Sequence, residues 1–484
     1  MSPRIAFIGA GSIGFTQQLV ADLLSVPELR ASRLVFMDID AENLQRVERL
    51  VRRDLKANGL PPDLLTATTD RREAVRDADY VFSTVRIGGL EAFETDIDIP
   101  LRYGVDQCVG DTLAAGGIMY GQRNIPFILE LCRDIGEQAH PGCLFLNYAN
   151  PMAMNVWAAH HHGGARVVGL CHGVQHGHRQ IADLLGIPVE ELQIVCAGIN
   201  HQTWYLRLVH GGEDFTGRLL EAFERSPLAG AEKVRVDVLR RFGYYSTESN
   251  GHLSEYLPWY RKDPARILEW ISGERWDGGE TGGYLRHCQE WRAYFDEEYA
   301  RWLKKEPRRY APENRSLEHG SRIVEALETG RLYRGHFNMA NDGCIRNLPD
   351  DAIVEAPGLA DATGIRLLAV GGLPPGPAAV CGASISVQRL AVEAAVRGDD
   401  RLLRQAMMMD PLVGAVCTPP EIWQMVDEML VAQARWLPQY GTAIAEARKR
   451  LAAGTRLPTR DTRGALRKNV RSAAEMAEQE SGRP

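Results

Sequence analysis

The chain has no C-x-x-C pair, no internal repeat and no excess of positive charge. Its cysteines, at 108, 132, 143, 171, 196, 288, 344, 381 and 417, are odd in number and scattered. Such a set argues against a disulfide framework or a structural zinc knuckle and fits small buried side chains. A net charge of -7 and a pI near 6.1 give no electrostatic footprint for nucleic acid or an anionic membrane surface. No apolar run approaches the roughly 18 residues of a membrane span. Met1-Ser2-Pro3-Arg4 leads into a strand-like run with no signal-peptide core. The expectation is a cytoplasmic protein with neither nucleic acid nor membrane as partner. With 484 residues, 45% hydrophobic and 25% charged, the composition is that of a globular protein. The length suits two or three domains, or one large α/β unit with an added lobe.

What is present begins at Ile5–Ile8, an apolar run followed by Gly9-Ala10-Gly11-Ser12-Ile13-Gly14 and a helical stretch over 17–24. Glycines at these places allow a tight turn and let backbone N–H groups approach a pyrophosphate at a helix N-terminus. A second run, Leu34-Val35-Phe36-Met37, ends in Asp38, an acid placed to take the ribose 2′-hydroxyl of NAD rather than the 2′-phosphate of NADP. The alternation continues with a basic helix over 41–58, strands over 80–85, 143–148 and 166–170, and a helix over 124–137. It predicts a Rossmann-type α/β fold, a right-handed, doubly wound parallel sheet. Gly110-Asp111-Thr112 and Gly116-Gly117 read as a glycine-rich, pocket-shaping loop. Asn147-Tyr148-Ala149-Asn150-Pro151-Met152 and Cys171-His172-Gly173-Val174 follow strands, so both should lie at the carboxyl edge where open α/β sheets bind ligands.

Beyond Val195 the pattern is mixed. Residues 203–209 predict a strand and 210–212 its turn, and 215–330 are mainly helical. After Leu317 a helix should give way to loops through Pro357-Gly358 and Pro374-Pro375-Gly376-Pro377. Thr418-Pro419-Pro420-Glu421 has capping-box spacing ahead of a helix. Three parts are expected: a nucleotide-binding domain over 1–197, a substrate, metal and oligomerisation domain over 198–455, and a surface helix or loose tail over 456–484.

Cys171 and His201 are a plausible pair of ligands for a divalent transition metal. Read from the residues alone, a buried thiol and a hydrogen-bonded core imidazole are the favoured reading. His160-His161-His162 suits a solvated helix end better than a metal site.

The motifs taken together resemble glycoside hydrolase family 4. The likeness runs through Gly9 to Thr16, Val109-Gly110-Asp111-Thr112, Asn150-Pro151-Met152, Cys171-His172-Gly173-Val174 and Gly198-Ile199-Asn200-His201. It continues through Tyr245-Ser246-Thr247-Glu248-Ser249 and Leu253-Ser254-Glu255-Tyr256, then from Glu318-His319-Gly320-Ser321 to Glu355-Ala356-Pro357-Gly358. The resemblance implies a lactate/malate dehydrogenase-like core with a mainly helical substrate lobe, bound NAD, a divalent metal, usually Mn2+, and a homodimer or homotetramer. It implies cleavage of an α-glycoside without net redox change, an exception among glycosidases. NAD takes hydride from C3 of the sugar, a base removes the acidified C2 proton, the aglycone leaves by elimination, water adds and hydride returns. The metal polarises the C2 and C3 oxygens.

Carried onto this sequence, the resemblance makes Cys171 and His201 metal ligands and Asn150 a contact to the sugar hydroxyls. Gly9, Gly11, Ser12, Ile13, Gly14 and Asp38 form the NAD site. Asp111 and His172 are candidates for the acid that protonates the leaving oxygen, and His252 and Tyr256 for the C2 base. Phospho-sugar members carry Asp or Asn at the place of His172, so an unphosphorylated sugar is expected. The longer segments resemble the α-galactosidase and α-galacturonidase branch, and Cys-His-Gly resembles α-glucosidases or α-glucuronidases; the expectation is an α-galactosidase, with an α-galacturonidase, α-glucuronidase or α-glucosidase of the same mechanism as the alternative. The rival readings are an NAD-dependent polyol or hydroxy-acid dehydrogenase and a catalytically silent NAD-binding regulator.

Overall fold

The computed structural model describes residues 2–12, 14–273, 275–454 and 456–481. Thirteen strands join in one sheet. In chain order they are β1 (Arg4–Ile8), β2 (Arg33–Met37), β3 (Leu65–Thr68), β4 (Tyr80–Ser83), β5 (Leu144–Asn147), β6 (Val167–Gly169) and β7 (Gln193–Ile199). There follow β8 (Gln202–His210), β9 (Glu213–Asp214), β10 (Tyr245–Ser246), β11 (Tyr333–Ala340), β12 (Ile353–Asp361) and β13 (Gly364–Leu367).

Successive side chains of a strand point to opposite faces, and the first strands bury both. Ile5, Phe7, Leu34, Phe36, Tyr80 and Phe82 enter one core. Ala6, Ile8, Val35, Met37 and Val81 enter the other. Each large apolar side chain so buried contributes about 1.5–3 kcal/mol, and strands covered on both faces favour parallel pairing under helices. The helices Phe15–Leu24, Ala41–Ala57 and His319–Thr329 cover the first face. Ala114–Gln138, Met152–Trp157 and Pro375–Arg397 cover the second. The parallel half has the order β3-β2-β1-β4-β5-β6, the doubly wound arrangement the alternation predicts.

The sheet continues past β6. β11, β12, β7, β8 and β10 extend it antiparallel, with β13 beside β12 and β9 beside β8. Position 197 falls inside β7.

Three local expectations are corrected. Residues 333–361 form two long strands, and Pro357-Gly358 lies within β12 rather than in a loop. Proline is tolerated in a strand only where its missing N–H is not needed. Pairing with β7 is at Glu355 and pairing with β13 begins at Gly358, so Pro357 occupies the gap. Gly116-Gly117 is helical, because the helix starts at Ala114; a Cβ on Gly116 would overlap Gly110 O and one on Gly117 the Thr112 backbone. The helix Pro375–Arg397 contains an 18-residue window of mean hydropathy 1.3, long and apolar enough to span a membrane, but half of that window is buried in the protein core. Its Ala, Gly and Ser content hides the run from a search for large apolar residues. Apart from these, the chain ends in a helix, Ala473–Ser481, that packs on the surface with Ala473, Met476 and Ala477 buried against Tyr294. The capping box at Thr418 forms, with the Glu421 carboxylate accepting from Thr418 N–H at 2.7 Å.

Candidate active site

At the carboxyl end of β1 the chain turns through Gly9 at φ +85° and Gly14 at φ +73°, backbone conformations that favour glycine. Gly11 N–H donates to Asp38 Oδ2 at 2.9 Å, and Asn43 donates to Gly11 O at 2.8 Å. A Cβ on Gly11 would overlap both side chains. No side chain caps the helix that starts after Gly14, and in its first turn Thr16 N–H donates to Ser12 O at 3.1 Å. Asp38 follows β2 as predicted and also holds Asp40 N–H at 3.0 Å. Gly9, Gly11, Ser12 and Gly14 thus form one turn with Asp38 at its side; Ile13 lies outside the described residues.

The second cluster is set by one row of strand register. Gly169 of β6 faces Asn338 of β11, Asn338 faces Glu355 of β12, Glu355 faces Gly198 of β7, and Gly198 faces Thr203 of β8. Thr203 exchanges backbone and hydroxyl hydrogen bonds with Thr247 at 2.9–3.0 Å. Chain segments leaving this row carry Cys171, His201 and Glu248. One donor atom from each of the three lies within 4.8 Å of the others. His201 stands at φ +61° in the tight turn between β7 and β8, which brings its imidazole back to the cluster although β7 runs opposite to β6.

Burial pushes the Cys171 thiol well above its ordinary range, reinforced by the carboxyls of Glu355 and Glu248. Burial lowers the His201 imidazole to about 4, so it is neutral and able to donate a lone pair to an ion. Burial would raise Glu248, but His201, His252 and His172 outweigh it and hold the carboxyl below its ordinary value. Glu355 is buried beneath the cluster and pushed up to about 8 by desolvation, with Asn200 donating to it at 3.2 Å.

His201 Nδ1 meets His252 Nε2 at 2.9 Å and Thr112 Oγ1 at 3.2 Å. His252 Nδ1 meets Glu255 Oε2 at 2.7 Å, and Glu255 accepts backbone N–H bonds from Cys108, Val109 and Gly110 at 2.9–3.2 Å. Both His252 nitrogens are therefore engaged. Burial lowers this imidazole, but the Glu255 bond more than compensates and leaves it above its ordinary value. The neighbouring Tyr256 hydroxyl is pushed far up by burial, then by Asp111, Glu248 and Glu255. Asp111 is buried and accepts from Thr112 Oγ1 at 2.9 Å, Asn150 Nδ2 at 3.1 Å and Arg86 Nη2 at 3.3 Å. The Arg86 guanidinium lies over the Phe93, Tyr120 and Tyr284 rings at 4.5–5.5 Å, so Asp111 is fixed from behind. His172 is half-exposed, 3.4 Å from Glu318 Oε1, with His176 against its ring. Desolvation lowers the His172 imidazole; the Glu318 contact more than restores it.

The structure thus brings Cys171, His201, His252, Tyr256, Asp111, Asn150 and His172 around one crevice. Glu248, Glu255, Glu355 and Asn200 were missed as site residues. Glu248 and Glu255 lie inside the motifs already singled out, where the acids of Thr-Glu-Ser and Ser-Glu-Tyr were the available signal. Glu355 needed the unrecognised β12. His178 bonds Leu192 O at 2.7 Å. His161 and His162 contact Asp351 O and Glu393, in keeping with a helix end.

A doubly wound sheet with a glycine turn after β1 and a thiol–imidazole–carboxylate cluster close enough to hold a cation defines an α/β protein of the dinucleotide-binding type. The chain belongs to glycosyl hydrolase family 4: the profile "Family 4 glycosyl hydrolase" matches residues 4–187 and "Family 4 glycosyl hydrolase C-terminal domain" matches 196–413. It is 56% identical over 483 residues to an alpha-galactosidase of Rhizobium meliloti (strain 1021), covering 99% of this chain and 98% of that one. It is 33% identical over 443 residues to an alpha-galactosidase of Bacillus subtilis (strain 168), covering 90% and 99%. A 6-phospho-alpha-glucosidase from gut microorganisms, solved in complex with NAD and Mn2+, shares the fold at a TM-score of 0.74 and 22% identity, covering 90% and 99%.

Proposed function

We propose that this protein is an α-galactosidase that hydrolyses an unphosphorylated α-galactoside with NAD and a divalent ion, Mn2+, as its resident groups. One observation carries the reading: Cys171 and His201 converge with Glu248, and Cys171 follows β6 at the same carboxyl edge of the parallel strands as the Gly9–Gly14 turn that follows β1. The close likeness to an alpha-galactosidase sets the sugar. The residues fit both groups. A glycine-rich turn ahead of a helix without a side-chain cap suits a pyrophosphate, and a soft thiol with a neutral imidazole suits a transition metal. Bound there, NAD supplies a reversible hydride acceptor for C3 of the sugar and the ion supplies Lewis acidity toward O2 and O3.

The protein's own groups do the rest. Asn150, fixed by Asp111, orients the sugar hydroxyls. His252, clamped between Glu255 and His201, sets the imidazole ligand and has no nitrogen free for substrate. That leaves Tyr256 to take the C2 proton, its phenolate requiring a nearby cation because three carboxyls surround it. His172, half-exposed and tied to Glu318, protonates the departing oxygen, and Asp111 acts through Asn150. The reading includes a reducing, cytoplasmic setting, supported by nine cysteines that are all free, and a homodimer or homotetramer, supported by the family resemblance.

Release of nitrophenol from α-galactoside, α-glucoside, α-galacturonide and α-glucuronide, with β-linked controls, tests it. Hydrolysis of the α-galactoside should need NAD, Mn2+ and thiol together, without NADH accumulating. Steady NADH formation on a free polyol or hydroxy acid, with no glycoside cleaved, would make the protein a dehydrogenase instead.

A further inference from the structure

We propose that Glu248 is a third protein ligand of the divalent ion, so that thiolate, imidazole and carboxylate form the binding site before any sugar arrives. The inference rests on the reading of Cys171 and His201 as ligands. Donor atoms bound to one transition ion at about 2.0–2.3 Å stand no more than about 4.6 Å apart. The Cys171, His201 and Glu248 donors already lie within 4.8 Å of one another, so a small contraction closes them on an ion.

Three further observations point the same way. First, Glu248 is held rigidly on both sides. Thr247 is locked to Thr203 by hydrogen bonds at 2.9–3.0 Å, and Ser249 caps the helix Asn250–Glu255 through His252 N–H. Second, among the described residues no hydrogen-bond donor satisfies the Glu248 carboxylate; its neighbours act on it only through charge. A partly buried carboxylate left in that condition has a place for a cation. Third, the chain after Cys171 makes room for it. A Cβ on Gly173 would overlap Glu248 Oε1, and Gly173 N–H points at Cys171 Sγ at 3.4 Å. The glycine in Cys-His-Gly thus keeps the carboxylate beside the thiol.

The test uses protein stripped of metal, with Mn2+ titrated by the electron paramagnetic resonance of the free ion. NAD binding, followed by fluorescence, serves as the control for folding. Glu248→Gln should weaken Mn2+ binding about tenfold to a hundredfold while NAD binding holds. Gly173→Ala should do the same although it keeps all three donor side chains. With Co2+ in place of Mn2+, Glu248→Gln should retain the thiolate-to-cobalt band and change the ligand-field bands. Mn2+ affinity within about twofold of the parent in Glu248→Gln, with unchanged cobalt ligand-field bands, overturns the proposal. If Cys171→Ser weakens Mn2+ in that same experiment, only Glu248 leaves the ligand set. If Cys171→Ser is also without effect, the underlying reading of the metal site fails as well.

Discussion

At the β1 end of the sheet the groups offered to a ligand are mainly backbone amides, and at the seam between β6 and the antiparallel half they are side chains. The turn after β1 works through glycines whose missing Cβ atoms leave space beside Asp38 and Asn43. The row from Gly169 to Thr203 works through what its strands carry: a thiol, imidazoles and carboxyls in a desolvated pocket. A backbone site tolerates most side-chain changes around it and is spoiled by an added methyl. A side-chain site depends on each charge being matched. The two sites should therefore break in different ways.

The largest effect is expected in the side-chain cluster at the seam. Cys171→Ser should lower hydrolysis by about a thousandfold, the equivalent of about 4 kcal/mol of Lewis-acid stabilisation, with NAD affinity unchanged. Activity within tenfold of the parent at the same Mn2+ concentration would remove Cys171 from the ligand set. Next comes the turn after β1. Gly11→Ala forces a methyl onto Asn43 and Asp38, and overpacking of about 1–3 kcal/mol should weaken NAD binding roughly tenfold to a hundredfold while Mn2+ binding holds. Equal losses of both ligands in either variant would show that the two sites are one coupled unit and end the contrast.

A smaller effect should follow at the link between the halves. Glu255 accepts from the 108–110 backbone and from His252, which bears on His201. Glu255→Gln keeps the shape and removes the charge, so Mn2+ affinity should fall about tenfold, as for other partners of a ligating histidine. Mn2+ affinity equal to the parent's would show that the His252–Glu255 pair does not support His201.

The parallel half was legible in the sequence because period, glycines and terminal acids all act within a few residues of one another. Ile5–Ile8 with Gly9–Gly14, and Leu34–Met37 with Asp38, needed no partner to be read. In the antiparallel half β8 and its turn at 210–212 were legible, and the rest was not. β12 contains Pro357-Gly358, and only its neighbours show that the missing N–H falls in a gap between β7 and β13. Glu355 and Glu248 owe their places to register across five strands, from Gly169 to Thr203 and on to Thr247, spread over 79 residue positions between Gly169 and Thr247 and a return at 338–355. Cys171 and His201 could be offered as ligands from residue type, but only the family resemblance favoured that over a buried thiol and a core imidazole, since their 30-residue separation carries no periodicity. Tyr256 and His252 were both offered as the base, and separating them required seeing that both His252 nitrogens are taken.

His319 sits at the seam of the two halves, at the start of a helix that covers the parallel strands, with its ring against Tyr333 and Phe337 of β11. Its Nδ1 meets the Tyr333 hydroxyl at 2.6 Å, and burial lowers the imidazole to about 4. An unfolded histidine titrates near 6.5, so between these values the unfolded chain takes up a proton that the folded protein refuses. Stability from this residue is therefore complete above about pH 6.5 and is lost as the pH falls toward 4. By pH 5.5 the loss is about 1 kcal/mol. His319→Asn keeps a polar atom near the Nδ1 position and removes the titration. Urea midpoints of the two proteins, measured with chelator from pH 7.5 to 5, should converge as the pH falls, because the parent loses the extra increment. Parallel curves over that range would mean that His319 is not held neutral, and that the seam is open to water rather than packed.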